Sequence, residues 1–292
     1  MSSILEIANV SKKYKGFELK DINITLERGY IMGFIGPNGA GKSSTIKLIM
    51  NLIKKDSGEI NVFGLDNIKN EIEIKEKIGF VYDENYYYEE LTIQEMKNLI
   101  RPFYSLWDEA AFTKYVKDFN LPLKKKIKQL SKGMKMKFSL AIALSHHAEL
   151  LIMDEPTSGL DPLVRSELLE ILQSLIQDEN KSVFFSTHIT SDLDKIADYI
   201  TLINNGEIVL SKTKDELIDK YCIVKGRKDT LAANIEEPLI GLKVNEYGFE
   251  ALSKNKKEIR KILGDSVLYE KPTIEDILVF STRRSDHIVS SY

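Results

Sequence analysis

Residues 36–43 read Gly36-Pro37-Asn38-Gly39-Ala40-Gly41-Lys42-Ser43, which fits G-x-x-x-x-G-K-[ST]. Each fixed position has a mechanical role. Glycines let the backbone turn tightly and aim its N–H groups at phosphate oxygens. Lys42 has the reach and charge for the β- and γ-phosphates, and the Ser43 hydroxyl is a ligand for Mg²⁺. An apolar run, Tyr30 to Ile35, reads as a buried strand leading in. Ser44 to Leu52 has helical spacing, with Ile46, Ile49 and Met50 on one side. The helix N-terminus adds partial positive charge where the phosphate would sit. A turn that binds nothing would not need every fixed position filled between a strand and a helix.

A second group of chemical residues closes another apolar run, Leu150-Leu151-Ile152-Met153-Asp154-Glu155. In an open α/β sheet, ligands bind beyond the carboxyl ends of the strands. Asp154 and Glu155 would therefore emerge beside the P-loop. Asp154 would hold Mg²⁺, and Glu155 would orient and polarise an attacking water. Alone, the pair could be a solvated acidic turn; the P-loop favours the chemical reading.

The elements that must position these residues can be read along the chain. Ile4 to Val10 and Leu19 to Leu26 read as strands, and Glu27-Arg28-Gly29 as a turn. Asp56-Ser57-Gly58 is another turn, before strands at Glu59–Phe63 and Ile78–Tyr82. Helices are expected over Thr92–Phe103, Glu109–Phe119 and Ser131–Ser145, an insertion spanning about residues 86–148. Alternation then resumes with a strand at Leu150–Met153, a helix at Leu163–Asp178, a strand at Ser182–Phe185 and a helix at Asp192–Ala197. Tyr199–Ile203 and Glu207–Leu210 flank Asn204-Asn205-Gly206 as a hairpin. Alternating βα units imply a parallel sheet covered by helices. Beyond about 215, short strands (Tyr221–Val224, Ile240–Val244, Ser266–Tyr269) mix with a helix at Lys254–Leu263. A last helix is capped by Thr273 with Asp276 three residues on. Residues 216–292 thus read as a small α+β accessory domain after a 1–215 core.

Composition bounds the function classes. The 292 residues can hold about two domains. A net charge of -3 gives no support for generic nucleic-acid binding. One cysteine, Cys222, excludes an internal disulfide framework and reads as a small buried hydrophobe. The first residues lack a signal-peptide pattern, and no apolar run approaches the ~20 residues of a membrane span. Such a chain could still dock onto a membrane protein.

The ordered set of motifs resembles the nucleotide-binding subunit of an ABC transporter over residues 1 to about 212. Leu130-Ser131-Lys132-Gly133-Met134 resembles the family signature, Ser158-Gly159-Leu160-Asp161 its D-loop, and Ser186-Thr187-His188 its switch histidine. Tyr14 stands where the family has an aromatic that stacks on adenine. The resemblance implies an α/β fold, a P-loop NTPase core of ABC type, with an antiparallel β subdomain and the helical insertion. It implies ATP and Mg²⁺ as ligands, with Gly36, Pro37, Asn38, Gly39, Ala40, Gly41, Lys42, Ser43 and Ser44 around the phosphates. Ser131, Gly133 and Asp161 would serve the nucleotide of a second subunit, so that two chains sandwich two ATP molecules. His188 would contact the γ-phosphate. The catalytic set would be Lys42, Glu155 and His188; the metal set would be Ser43, Asp154 and Asp83.

Each motif also has a plain reading. Ser131 could be an ordinary helix N-cap, His188 a satisfied structural histidine and Tyr14 a packed surface aromatic. Two positions depart from the family pattern. Lys132 and Met134 replace a glycine and a glutamine of the signature, and Asp83 stands where a glutamine usually links metal and membrane subunit. Tyr86-Tyr87-Tyr88 could form part of a groove for that subunit or pack on the insertion. Lys124–Lys128 reads as a solvated basic face. The resemblance implies partners: a second ATP-binding subunit and a multi-span permease that keeps the chain at the cytoplasmic face of the membrane. Export of peptides, antibiotics or other hydrophobic cargo is the expected task. An alternative is a soluble ABC-type ATPase acting on ribosomes or DNA.

Overall fold

A computed structural model of the chain describes residues 3–82, 86–230 and 239–282. The chain begins with strands β1 (Ser3–Tyr14), β2 (Phe17–Glu27) and β3 (Ile31–Ile35), then helix α1 (Lys42–Ile49). Next come β4 (Ser57–Val62), β5 (Leu65–Asp66), α2 (Glu71–Lys77) and β6 (Ile78–Val81). The insertion holds α3 (Ile93–Ile100), α4 (Glu109–Asp118) and α5 (Lys132–Ser145), with short 3₁₀ turns between them. Alternation resumes with β7 (Leu150–Asp154), α6 (Pro162–Leu175), β8 (Ser182–Thr187), α7 (Thr190–Ile196), β9 (Tyr199–Asn204) and β10 (Glu207–Thr213). The remainder is α8 (Lys214–Lys220), β11 (Cys222–Gly226), β12 (Leu239–Asn245), β13 (Gly248–Ser253), α9 (Lys256–Leu263), β14 (Leu268–Glu270) and α10 (Ile274–Thr282).

The central sheet has the order β10-β9-β3-β8-β7-β6 and is parallel except for β10 at its edge. Its strands are apolar on both faces, as a covered parallel sheet requires. The alternation of side chains divides two cores. Met32, Phe34, Leu150, Ile152 and Phe184 face α1 and an antiparallel sheet of order β2-β1-β4-β5. Ile31, Ile35, Leu151, Met153, Val183 and Phe185 face the helical insertion, α6 and α7. A third sheet, β12-β13-β11-β14, packs α9 on a smaller core of its own. The helix α8 runs across position 215, where the sequence places a boundary. Ile223, Leu252, Ile274, Ile277 and Phe280 join the larger core, so the C-terminal elements and the parallel sheet share apolar surface.

Several sequence expectations shift by a turn or less. The strand expected from Glu59 starts at Ser57, and α1 begins at Lys42. The box at Thr273 forms: its hydroxyl accepts from Asp276 N–H, while the Asp276 carboxylate accepts from Thr273 N–H at 2.9 Å. Tyr87 turns inward, donating to Ser139 at 2.9 Å, and burial pushes its hydroxyl up to about 12. Tyr86 and Tyr88 stay exposed. Two lysines of the basic run, Lys126 and Lys128, both reach Glu90.

One buried histidine joins the insertion to α2. His146 follows α5, stacks on Tyr104 with centroids 3.8 Å apart, and points Nδ1 at the Glu76 carbonyl 3.1 Å away. Its Nε2 is buried with no hydrogen-bond partner among the described residues. Burial pulls its pKa from the ordinary 6.5 to about 4. The folded chain therefore binds fewer protons than the unfolded chain between those values, and stability falls as pH drops through that window. The full loss is on the order of 3 kcal/mol. Urea unfolding at pH 7 and pH 4.5 is expected to show this loss, and His146→Phe, which keeps the stack, is expected to flatten it.

Candidate active site

Strand β3 delivers the P-loop at its carboxyl end. The turn is held by Ala40 N–H donating to the Pro37 carbonyl at 3.2 Å and by Gly206 N–H donating to the Ala40 carbonyl at 3.0 Å. Gly41 sits at φ 116°, and a Cβ there would lie 2.5 Å from Leu19. Only glycine fits both conditions. Gly41 is also the N-cap of α1 and offers no side chain to the helix N–H groups, which stay available to an anion. Lys42 is buried, and its Nζ donates to the Gly36 carbonyl at 2.8 Å.

Strands β7 and β8 bring the second group. Their register pairs Asp154 with Ser186, and the Ser186 hydroxyl donates to Asp154 Oδ1 at 2.6 Å. The next residue, Glu155, takes a left-handed φ of 49°, uncommon for a side chain with a Cβ. Its N–H donates to the Ser186 carbonyl at 3.1 Å, which holds that backbone. The turned carboxylate lies 3.2 Å from Lys42 Nζ through Oε1 and 2.7 Å from His188 Nδ1 through Oε2. The His188 N–H also donates to Oε2 at 3.2 Å. Lys42, Glu155 and His188, all expected from sequence to be catalytic, are thus one connected chain of side chains.

This chain opens into a cleft of about 620 Å³ lined by Phe17, Asn38, Gly39, Gly41, Lys42, Ser43, Ser44, Glu155, Ser158 and His188. A pocket of this size with convergent polar groups suits a small anionic ligand. Gly36, Pro37 and Ala40 shape the loop beneath it. Ser43 and Asp154 supply a hydroxyl and a carboxylate, a hard-oxygen pair. Mg²⁺ fits such a pair, because it takes one or two protein oxygens and draws the rest from phosphates and water. Among the described residues no cluster of three or more His, Cys, Asp or Glu could hold a metal ion. Asp83 lies outside the described residues.

Four other expected residues are placed elsewhere in this chain. Ser131 is exposed and caps α5, accepting from Met134 N–H at 3.2 Å. Asp161 is exposed and caps α6, accepting from Leu163 and Val164 N–H groups. Gly133 is buried, and a Cβ there would meet Val164 of α6 at 2.7 Å; its lack of a side chain serves helix packing. Tyr14 is half-exposed beside the cleft, with its ring 6.2 Å from Phe17. The ring that lines the cleft is Phe17. Sequence reading missed Phe17 and the role of Ser186. The first had a signal: Lys15-Gly16 makes a two-residue turn, which pairs Tyr14 with Phe17 on one face.

Comparison with known proteins agrees with this geometry. The sequence pattern of the family described as "ABC transporter" matches residues 19–158. A second pattern, "AAA domain, putative AbiEii toxin, Type IV TA system", matches residues 126–191. The chain is 35% identical over 212 residues to the bacitracin transport ATP-binding protein BcrA of Bacillus licheniformis, covering 72% of this chain and 69% of that protein. The chain belongs to the ABC transporter ATP-binding proteins. It is also 34% identical to the lantibiotic transport ATP-binding protein SrtF of Streptococcus pyogenes, covering 73% of this chain and 92% of that protein. A solved ATP-binding subunit of an ABC transporter superposes with a TM-score of 0.66 at 30% identity, covering 74% of this chain and 92% of that one. As a member of this family the chain is an ATPase, the ATP-binding part of a transporter. No helix among the described residues is long and apolar enough to cross a membrane.

Phe17 gives a direct test of how the ABC ATPase holds its base. Removing an aromatic that stacks on a base costs roughly 1–3 kcal/mol. Phe17→Ala is expected to weaken ATP binding by about tenfold or more, measured as KM or by titration with a fluorescent ATP analogue. Tyr14→Ala is expected to weaken it by about threefold or less. The reverse order would assign the base contact to Tyr14.

Proposed function

We propose that this subunit dimerises around ATP and powers a separate multi-span permease from the cytoplasmic face of the membrane, as an exporter of peptides, antibiotics or similar hydrophobic cargo. The observation that carries the reading is the Lys42–Glu155–His188 chain at the mouth of the parallel sheet. The relatives with transport names support the task, since one is named for bacitracin and another for lantibiotics.

Each residue has a role that its chemistry allows. Lys42 holds the β- and γ-phosphates, exchanging its Glu155 contact for phosphate oxygens. Ser43 and Asp154 would hold Mg²⁺, which neutralises phosphate charge when bound. Ser186 keeps the Asp154 carboxylate oriented. Glu155, once Lys42 turns to phosphate, has Oε1 available to orient and polarise the attacking water. His188 keeps Oε2 in place and reaches the γ-phosphate. Phe17, with Tyr14 beside it, packs on the adenine. Ser131 and Asp161 are exposed at the starts of α5 and α6, which supports service, with the Gly133 backbone, to a nucleotide on a second copy. The exposed Tyr86 and Tyr88 would contact the permease, while Tyr87 anchors that segment to α5. We assign residues 216–292 as an accessory domain, of which Ile223, Leu252, Ile274, Ile277 and Phe280 join the larger core.

The Glu155→Gln variant tests the reading. Loss of a general base costs typically 10²–10⁴-fold in rate. The variant is expected to bind ATP normally, to lose at least about 100-fold in kcat, and to elute as an ATP-dependent dimer in size-exclusion chromatography. Hydrolysis near the unmodified rate would remove Glu155 from the role of base. A monomeric elution with ATP bound would remove the sandwich.

A further inference from the structure

Helix α7 starts two residues after His188, so whatever seats α7 seats the imidazole. Its first turn is seated by one side chain from α6. Arg165 donates from Nε to Asp192 Oδ1 at 2.6 Å and from Nη2 to the Ser191 hydroxyl at 2.8 Å. Asp192 is 0% exposed, and its Oδ2 has no hydrogen-bond partner among the described residues. The guanidinium is therefore the compensating charge of a carboxylate removed from water. Arg165 lies one turn into the helix that Asp161 caps, and its N–H donates to the Asp161 carbonyl at 3.0 Å. The other side of α7 rests on β3, where the bare backbone of Gly33 admits Leu193; a Cβ there would lie 2.5 Å from Leu193 Cδ2.

Apolar contact alone lets a short helix slide, because dispersion and burial have little directionality. A planar guanidinium bonded through two nitrogens fixes both distance and rotation. Ion pairs with a buried member often add little net stability compared with apolar replacements, so the geometry this pair imposes is the effect to test.

We propose that Arg165 and Asp192 are a positioning pair for ATP hydrolysis: they hold α7 so that His188 stays within bonding reach of Glu155. Neither side chain lines the cleft. The pair acts through His188, and the inference rests on the reading of Glu155 and His188 as groups that act at the γ-phosphate.

The test uses the full chain with ATP. The double variant Arg165→Met with Asp192→Leu removes both charges together and preserves apolar volume, so it avoids leaving a lone buried carboxylate. A misplacement of about 1 Å can cost about 10²-fold in rate. The double variant is expected to lower kcat by about tenfold or more while KM for ATP stays within about twofold. In a His188→Ala background, the same double substitution is expected to lower the single-turnover rate by less than about twofold. Should the double variant fold poorly by circular dichroism, Arg165→Lys is put through the same cycle, since it keeps charge and loses the fork. A kcat within about twofold of the unmodified chain, or an equal loss with and without His188, overturns the pair. If His188→Ala itself hydrolyses ATP at the unmodified rate, the reading of His188 fails, and the inference with it. If His188→Ala is impaired and the double variant is not, only the inference fails.

Discussion

The parallel register of β3, β8 and β7 is the constraint on which this molecule depends. Ile35 pairs with Thr187, and Asp154 with Ser186, so three strands end level at one edge of the sheet. Gly36, Glu155 and His188 leave that edge together. A slip of one residue would turn every side chain of a strand to the opposite face. Yet these strands are apolar on both faces, so the apolar pattern specifies their register only weakly. Polar atoms at the strand ends do more. The Ser182 hydroxyl accepts from Gly29 N–H at 2.9 Å, and the Asp198 carboxylate accepts from Ile31 N–H at 2.8 Å. At the other end the Ser186 hydroxyl bonds Asp154. Buried donors and acceptors that lose their partners cost about 1–3 kcal/mol each. The same groups that fix register therefore also fix where the chemistry stands.

At that edge one carboxylate connects two functions. Glu155 lies between a buried ammonium and an imidazole, with its side chain only 14% exposed. Charges that are partly withdrawn from water interact more strongly than at the surface. A group that enters beside Lys42 carrying negative charge competes directly with Glu155 for it. On the proposed mechanism, nucleotide binding would free the carboxylate through that one contact of 3.2 Å. The left-handed backbone at Glu155 is the local cost of aiming the side chain this way.

The parts of this site that were legible in the sequence are those set by local chain chemistry. The P-loop, the carboxylates that end β7 and the Thr273 box all depend on residues within a few positions of one another. What was not legible depends on which strand lies beside which. Ser186 matters because β8 lies next to β7 in a given register. Phe17 is the exception, since the local Lys15-Gly16 turn that lays it across from Tyr14 is itself a sequence signal. The missed helix α2 buries Ile74 alone, so it has no apolar stripe; its Glu71–Lys75 and Glu73–Lys77 pairs are the remaining helical signal. Strand β13 was hidden because Phe249, Ala251 and Leu252 serve two cores at once. The role of Gly133 in packing was hidden too, because the Val164 side chain that takes its space lies on α6.

The C-terminal elements follow the same logic of shared surface. Leu217, Tyr221, Ile223, Leu252, Ile274, Ile277 and Phe280 belong to the apolar core that also contains Val183, Phe185 and Leu193. Cutting the chain at 215 would break α8 in its first turn and strip those side chains from the core that backs β8. Polar contacts reinforce the join. The Asp194 carboxylate on α7 accepts from the Ile274 N–H at the start of α10, and burial still raises its pKa. Lys214 donates to the Asp194 carbonyl at 3.1 Å. So α7 is held on one side by α6, on another by β3 and on a third by the last helix of the chain. Apolar contacts on those sides bury α7, and on the proposed pairing the Arg165 fork sets its rotation and distance among them. The imidazole two residues before it depends on both the packing and the fork.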